Sequence, residues 1–560
     1  METREKFLPE VVPEDKVQPT AYKVDGAGPV PPRLRALHDC DVTFHEYQYY
    51  ARLTRAEQEA LPPSRAGKSL LAYIVPNLQK SVAPEVNASR ALRSATAGAI
   101  FYLITTDILG PFGLPYAFAT TGWGPGIALY TVFGALAGFS GYLLWDCFME
   151  LDSFQFPVQA YGDLAFRIYG PWCHYFVNIL QAVQLLCNVA VIIISNGEAL
   201  SQAAKFKLCY AICCLVWALA GFFLGQIRTL QKFGWLPNLA VFINLVIMFI
   251  TMGAAAHSDP LYSASASSAG YSIDPKLVTP VDGVYPPVQH SGGIPNAGNF
   301  GGAVNGMMQA VYSYGGCMIF PEFMAEIKRP RDFLKGMWGA QLFIYVCYMV
   351  YGLFMYGYQG QYVQTPAYLG ISQYGLSTAG NSLAIVSALI AATLYGNIGV
   401  KVPNHSHLQQ YFRRVFQGSS AVNQIRYPVY WSIAYVVGAA IPDFAGFTGI
   451  VAASCILQFT YSIPPLLHVG FNTMRNAASS EPGFDVATGQ VEVQDRGLSR
   501  WIRGFFGRRW YLNVFNLLYG MGALAMCGLG CWAAIENMIL IYAVPQLNAF
   551  GCTSPLDASA

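Results

Sequence analysis

Residues 105–116 read TTDILGPFGLPY, setting Gly110, Pro111, Gly113 and Pro115 within six positions of one another inside an otherwise apolar run. Far downstream, residues 312–322 read YSYGGCMIFPE and repeat the device with Gly315, Gly316 and Pro321. Proline has no amide hydrogen and glycine no side chain, so neither stretch continues as a regular α-helix. In hydrocarbon an interrupted helix strands backbone N–H and C=O groups, and it survives only where it lines a polar cavity. The plainer reading is a pair of kinked packing helices, because Gly and Pro are frequent in membrane spans.

Composition establishes that hydrocarbon is the solvent. Of 560 residues, 54% are hydrophobic and 11% charged, with a mean hydropathy of +0.36. Soluble domains carry roughly a quarter charged residues, so an ordinary cytosolic enzyme is excluded. The 33 Lys and Arg against 31 Asp and Glu leave a formal charge of +2, which draws no nucleic acid. The partner that the composition does call for is a lipid bilayer; the sequence names no protein partner. Most of the 13 cysteines fall inside apolar runs and read as small buried hydrophobes.

A spanning helix needs about 20 mostly apolar residues. That length predicts eleven spans, at 94–121, 125–149, 172–197, 207–226, 233–255, 299–325, 334–357, 378–400, 426–442, 444–471 and 512–543. The ninth is short and parted from the tenth only by Pro442 and Asp443, so a count of ten stays open. With the amino end inside, 30 of the 33 Lys and Arg lie on inner segments and only Lys205, Lys207 and Lys276 lie outside, as the positive-inside rule requires. The expected organisation is a partly disordered cytoplasmic region (1–93), a five-helix repeat (94–255), a flexible extracellular cover (256–298), a second five-helix repeat (299–471), a cytoplasmic loop (472–511), and an eleventh helix with a short external tail (512–560).

The two breaks sit five spans apart, each in the first helix of a half. Matching interruptions point to an inverted repeat with substrate held between the halves, and an odd number of spans per half inverts the second. Half-helix amino ends offer free N–H groups to a carboxylate, and carboxyl ends offer carbonyls to an ammonium. An amino acid zwitterion needs both.

The run GPFGLPYAF at 110–118 followed by Gly122 and Trp123, the segment YGDL at 161–164 with Gly170 and Pro171, FPE at 320–322 and EIKRPRDF at 326–333 together resemble the amino acid/auxin permease family, most of all its fungal neutral amino acid permeases. The resemblance runs over roughly residues 40 to 545, the tyrosine-rich stretch 42–55 included. It implies an all-α polytopic membrane protein of about eleven transmembrane helices, a LeuT-type 5+5 inverted repeat with helices 1 and 6 broken plus one extra helix, importing amino acids with protons. Position 107 departs from the pattern: Asp107 stands where most members carry an apolar residue.

The candidate substrate-binding residues are Thr106, Gly110 and Gly113 at the first break, Tyr312, Ser313, Tyr314 and Gly315 at the sixth, and Gln184 on the third span. Gln181 and Asn188 share a helical face with Gln184, and Ser387 and Thr393 mark the eighth span; interhelical glue is the alternative for all of these. Asp107 lies about 20 Å along its helix at 1.5 Å per residue, near the midplane. It is the first proton-coupling candidate, against a local role bound to Thr105 or Thr106 or capping free N–H groups. Glu322 is the second, as a gate at the cytoplasmic exit, against an interfacial charge. No metal or cofactor is expected: His405 and His407 are two apart, and Pro62 replaces the glycine that a phosphate loop around Gly67 would need. The coupling ion is expected to be H+, with Na+ open because its carbonyl and hydroxyl ligands leave the same traces. With no acid/base cluster, the chain is expected to be no enzyme but a secondary transporter importing neutral aliphatic or aromatic amino acids at the plasma membrane. A vacuolar transporter of the same family and an amino-acid sensor are the alternatives.

Overall fold

The computed structural model describes residues 38–60, 95–110, 113–224, 236–262, 273–296, 298–401, 420–441, 444–485, 490–495, 497–542 and 550–557. The disorder expected within 1–93 falls on 1–37 and 61–93, outside the described residues.

Each predicted span is helical. The first is split into α2 (Ala97–Ile108) and α3 (Leu114–Thr121), with α1 (Phe44–Ala60) before it. Then follow α4 (Trp123–Leu151), the short α5 (Tyr161–Tyr169), α6 (Pro171–Ala203), α7 (Tyr210–Leu224) and α8 (Leu236–His257). The sixth span is split into α9 (Phe300–Ser313), a 3-10 turn at Cys317–Ile319 and α10 (Phe320–Glu326). After it come α11 (Phe333–Gln359), α12 (Tyr374–Lys401) and α13 (Ser420–Ala440). The tenth span runs through α14 (Phe444–Val451) and α15 (Ile463–Ala478), and α16 (Leu498–Phe505) and α17 (Trp510–Tyr542) close the chain. Among the described residues the only strand pairing is the two-residue hairpin of Phe484–Asp485 with Gln490–Val491. Seven described helices are long and apolar enough to cross a membrane, and Ala97–Ile108 and Tyr210–Leu224 are shorter apolar helices. The protein is an all-α polytopic membrane protein.

The local chemistry accounts for the breaks. Thr96 opens α2 by accepting the Ala99 N–H at 3.3 Å, and Pro115 occupies the first turn of α3, where a missing amide hydrogen costs nothing. Asn299 caps α9 through the Gly302 N–H at 2.8 Å, and Pro321 lies in the first turn of α10. The half-helices α3 and α9 press together at Gly306, where a Cβ would clash with Thr120 Oγ1. In the tenth span, Pro464 and Pro465 offer no N–H to the preceding turn, and two π-helical stretches, Ala452–Ile456 and Gln458–Ser462, lie upstream of them. This span is core, with 72% of its apolar window buried, whereas α17 buries 22% and rides on the outside of the bundle.

One end of the bundle is fastened by the segment 38–60. Arg55 pairs with Asp152 at 3.0 Å, His45 with Glu481 at 2.7 Å and His38 with Asp163 at 2.7 Å. Glu481 also receives Arg500 and Arg503. Residues from opposite ends of the sequence are thereby tied to one face. Burial alone would push the Asp163 carboxyl up, but the His38 hydrogen bond, the Arg167 guanidinium and the Gln159 N–H hold it at about 2.

At the other end, a disulfide joins Cys209 to Cys552 across 343 residues, and the Tyr210 N–H donates to the Cys552 carbonyl at 2.9 Å. These are two of the few cysteines outside the apolar runs. The loop expected to be a flexible cover is, over 273–296, pinned down: the Gln289 N–H donates to Gln361 Oε1 at 2.7 Å, the Ser291 N–H to Tyr356 Oη at 2.9 Å, and the Trp123 N–H to the Ser291 carbonyl at 3.0 Å. Backbone groups of the loop find partners on α4 and around α11, which the composition of the loop alone did not reveal.

Candidate substrate cavity

The last turn of α2 leaves carbonyls without helical partners, and three neighbouring helices supply donors. From α11, the Tyr348 hydroxyl lies 2.5 Å from the Ile108 carbonyl and accepts the Gly110 N–H at 3.4 Å. The same hydroxyl is 3.1 Å from the Ser313 carbonyl at the end of α9, so one phenol spans both breaks. From α8, Asn244 Nδ2 donates to the Leu109 carbonyl at 2.6 Å, while Asn244 Oδ1 accepts from Ser387 of α12 at 2.7 Å. Also from α12, Tyr395 donates to Asp107 Oδ1 at 2.7 Å.

Between these groups lies a cavity of about 80 Å³, room for a small solute or several waters. Its polar lining includes Thr106, Asp107, Asn188, Ser313, Tyr348 and Tyr395, and its apolar wall includes Val191, Ile192, Ala388, Ala391, Phe444 and Ile456. Among the described lining residues Asp107 is the only charged one. Two buried oxygens there have no hydrogen-bond partner, Asp107 Oδ2 and Asn188 Oδ1. Asp107 Oδ2 faces the sixth break so closely that a Cβ on Gly316 would come within 2.8 Å of it.

The cavity brings together six of the residues singled out from sequence: Thr106, Asp107, Gly110, Tyr312, Ser313 and Gly315. Asn188 and Ser387 line it as well. Gly113, Tyr314, Gln184 and Glu322 are placed away from the lining. Gly113 backs onto α9, where a Cβ would meet Gln309 Oε1 at 2.5 Å. Tyr314 turns from the cavity into a cluster with Tyr130 and Tyr348, ring centroids 6.0 and 5.6 Å away. Gln184 is buried within α6. Glu322 accepts a hydrogen bond from Gln181 Nε2 at 3.0 Å, linking the end of the sixth span to α6. The local partners weighed for Asp107 are committed elsewhere: Thr105 donates to the Phe101 carbonyl at 2.7 Å and Thr106 to the Pro237 carbonyl at 2.8 Å.

Sequence reasoning missed Tyr348, Tyr395 and Asn244. Among 35 tyrosines the two phenols carry no mark. Asn244 did leave a signal, as a lone amide amid the apolar run 239–250.

The family described as "Transmembrane amino acid transporter protein" matches residues 93–480. The N amino acid transport system protein of Neurospora crassa is 22% identical over 465 residues, covering 79% of this chain and 84% of its own. The amino acid transporter AVT3B of Arabidopsis thaliana is 25% identical over 382 residues, covering 64% and 81%. Among solved structures, the nucleobase-cation-symport-1 family transporter Mhp1 in a closed conformation overlaps 83% of this chain and 97% of its own at a TM-score of 0.41 and 12% identity, a loose likeness that adds no weight. A match over most of the bundle, broken spans included, settles the family: the chain belongs to the transmembrane amino acid transporters.

Proposed function

We propose that the protein is a secondary transporter that imports neutral amino acids together with protons, the substrate lying between the two breaks and Asp107 taking the coupling proton. The observation that carries this reading is the Asp107 carboxylate itself: it lines the cavity with Oδ2 unpartnered and with no Lys, Arg or His among the described lining residues. An uncompensated anion in a low-dielectric site is costly, and a proton is the smallest group that removes the charge. A zwitterion adds no net charge, so substrate and proton cross together as a neutral pair. The wall of Val191, Ile192, Phe444 and Ile456 suits an uncharged side chain. Alternating access follows if the two halves rock about the fixed cavity, with the Gln181–Glu322 bond released as the inner exit opens.

The disulfide supports the orientation. Disulfides persist in oxidising compartments, and Cys209 and Cys552 lie on the loop and tail that an amino-end-inside topology puts outside, in keeping with the plasma membrane.

The test is uptake of labelled leucine and phenylalanine in permease-deficient yeast at about pH 5 and about pH 7.5, a range that brackets a buried carboxylate. Saturable uptake that collapses at the higher pH, or on adding a protonophore, supports proton symport. Uptake that ignores both and follows sodium overturns the proton. A surface-localised protein that moves neither substrate overturns import of neutral amino acids.

A further inference from the structure

The carbonyls at the end of α2, the natural acceptors for a substrate ammonium, are already occupied: Ile108 by Tyr348 and Leu109 by Asn244. The buried side-chain acceptors left without a partner in the cavity are Asp107 Oδ2 and Asn188 Oδ1. One is an anion, the other a neutral amide, and both line the same space. The ionisable groups facing Asp107 from neighbouring elements are Tyr312 of α9, Tyr348 of α11, Tyr395 of α12 and the Cys317 thiol. None carries a positive charge, so nothing in the resting site competes with an incoming cation.

We propose that a short cationic amino acid is a second substrate class, its side-chain ammonium binding Asp107 and Asn188 in place of the coupling proton. This rests on the reading of Asp107 as the carboxylate that takes the proton. The two loads are equivalent in charge: a neutral amino acid with a protonated Asp107, or a cationic amino acid with an ionised one, leaves the cavity neutral. Cationic substrates therefore cross without a proton. The cavity of about 80 Å³ favours a short side chain such as that of ornithine over the longer one of arginine.

The experiment uses the purified full-length chain in proteoliposomes, with labelled leucine or ornithine as probe and an internal pH dye. The expected result is that leucine entry acidifies the lumen and ornithine entry does not. Ornithine uptake should also be about ten-fold higher at about pH 7.5 than at about pH 5, and ornithine should inhibit leucine uptake at about pH 5, because a proton and an ammonium compete for one carboxylate. That competition is read on wild-type protein and needs no variant to fold. Asp107→Asn should abolish ornithine uptake. Leucine that moves with protons while ornithine neither enters nor competes overturns this proposal and leaves proton symport standing, as does ornithine that enters with a proton. Leucine that moves without protons overturns both readings.

Discussion

The Tyr348 hydroxyl sits 2.5 Å from the Ile108 carbonyl and 3.1 Å from the Ser313 carbonyl, so a single phenol on α11 joins the interruptions of the first and sixth spans. With one proton it donates to one carbonyl at a time. Tyr348→Phe keeps the ring and its packing but leaves a buried carbonyl unpaired, a loss of about 1–3 kcal/mol. Uptake is expected to fall about ten-fold or more with surface abundance largely kept, as measured by transport rate per surface-labelled molecule.

Gly316 reports how closely the two breaks approach. A Cβ there would lie 2.6 Å from Ile108 Cγ1 and 2.8 Å from Asp107 Oδ2, so Gly316→Ala must push the spans apart. Overpacking of this kind costs about 1–3 kcal/mol. Transport is expected to be lost while the protein still reaches the membrane, and Gly292→Ala, with nothing within 4 Å, serves as the control that transports normally.

The apolar helices were legible because apolar length is a one-dimensional property, and the breaks because Gly110, Gly113, Pro115, Gly315 and Pro321 act on their own backbone. The side chains that complete the cavity were not. Tyr348 reaches Ile108 across 240 positions and Tyr395 reaches Asp107 across 288, distances that only tertiary packing closes. Gly113 and Tyr314 lie off the cavity lining, because proximity to a break in sequence does not say which way a residue faces when each step turns the helix by about 100°. The Cys209–Cys552 bridge was hidden likewise, since its two halves flank spans far apart in the chain.

The clamp formed by residues 38–60 has a defined pH response. Asp163, held at about 2, has a folded value below that of an ordinary carboxylate, so the stability it contributes is complete above about pH 4 and is lost as pH falls toward 2. The amount is on the order of 2 kcal/mol. Thermal unfolding of the wild type against Asp163→Asn is expected to show a constant gap from about pH 7 to about pH 5 that closes below about pH 4.

The disulfide supplies a topological test. Treating intact cells with an external reductant and then an impermeant maleimide is expected to label Cys209 and Cys552, and Cys209→Ser with Cys552→Ser removes that labelling. A tag placed before His38 should stay inaccessible until the membrane is opened. Labelling of the two cysteines only after permeabilisation would assign that face to an internal lumen and favour a vacuolar protein.

The central claim is that Asp107 carries the proton that accompanies a neutral substrate. The direct measurement is luminal pH during leucine entry into proteoliposomes bearing the wild type or Asp107→Asn. The account predicts acidification with the wild type, and with the variant leucine entry that is downhill, independent of pH and without acidification. Acidification of equal size per leucine in Asp107→Asn would contradict it.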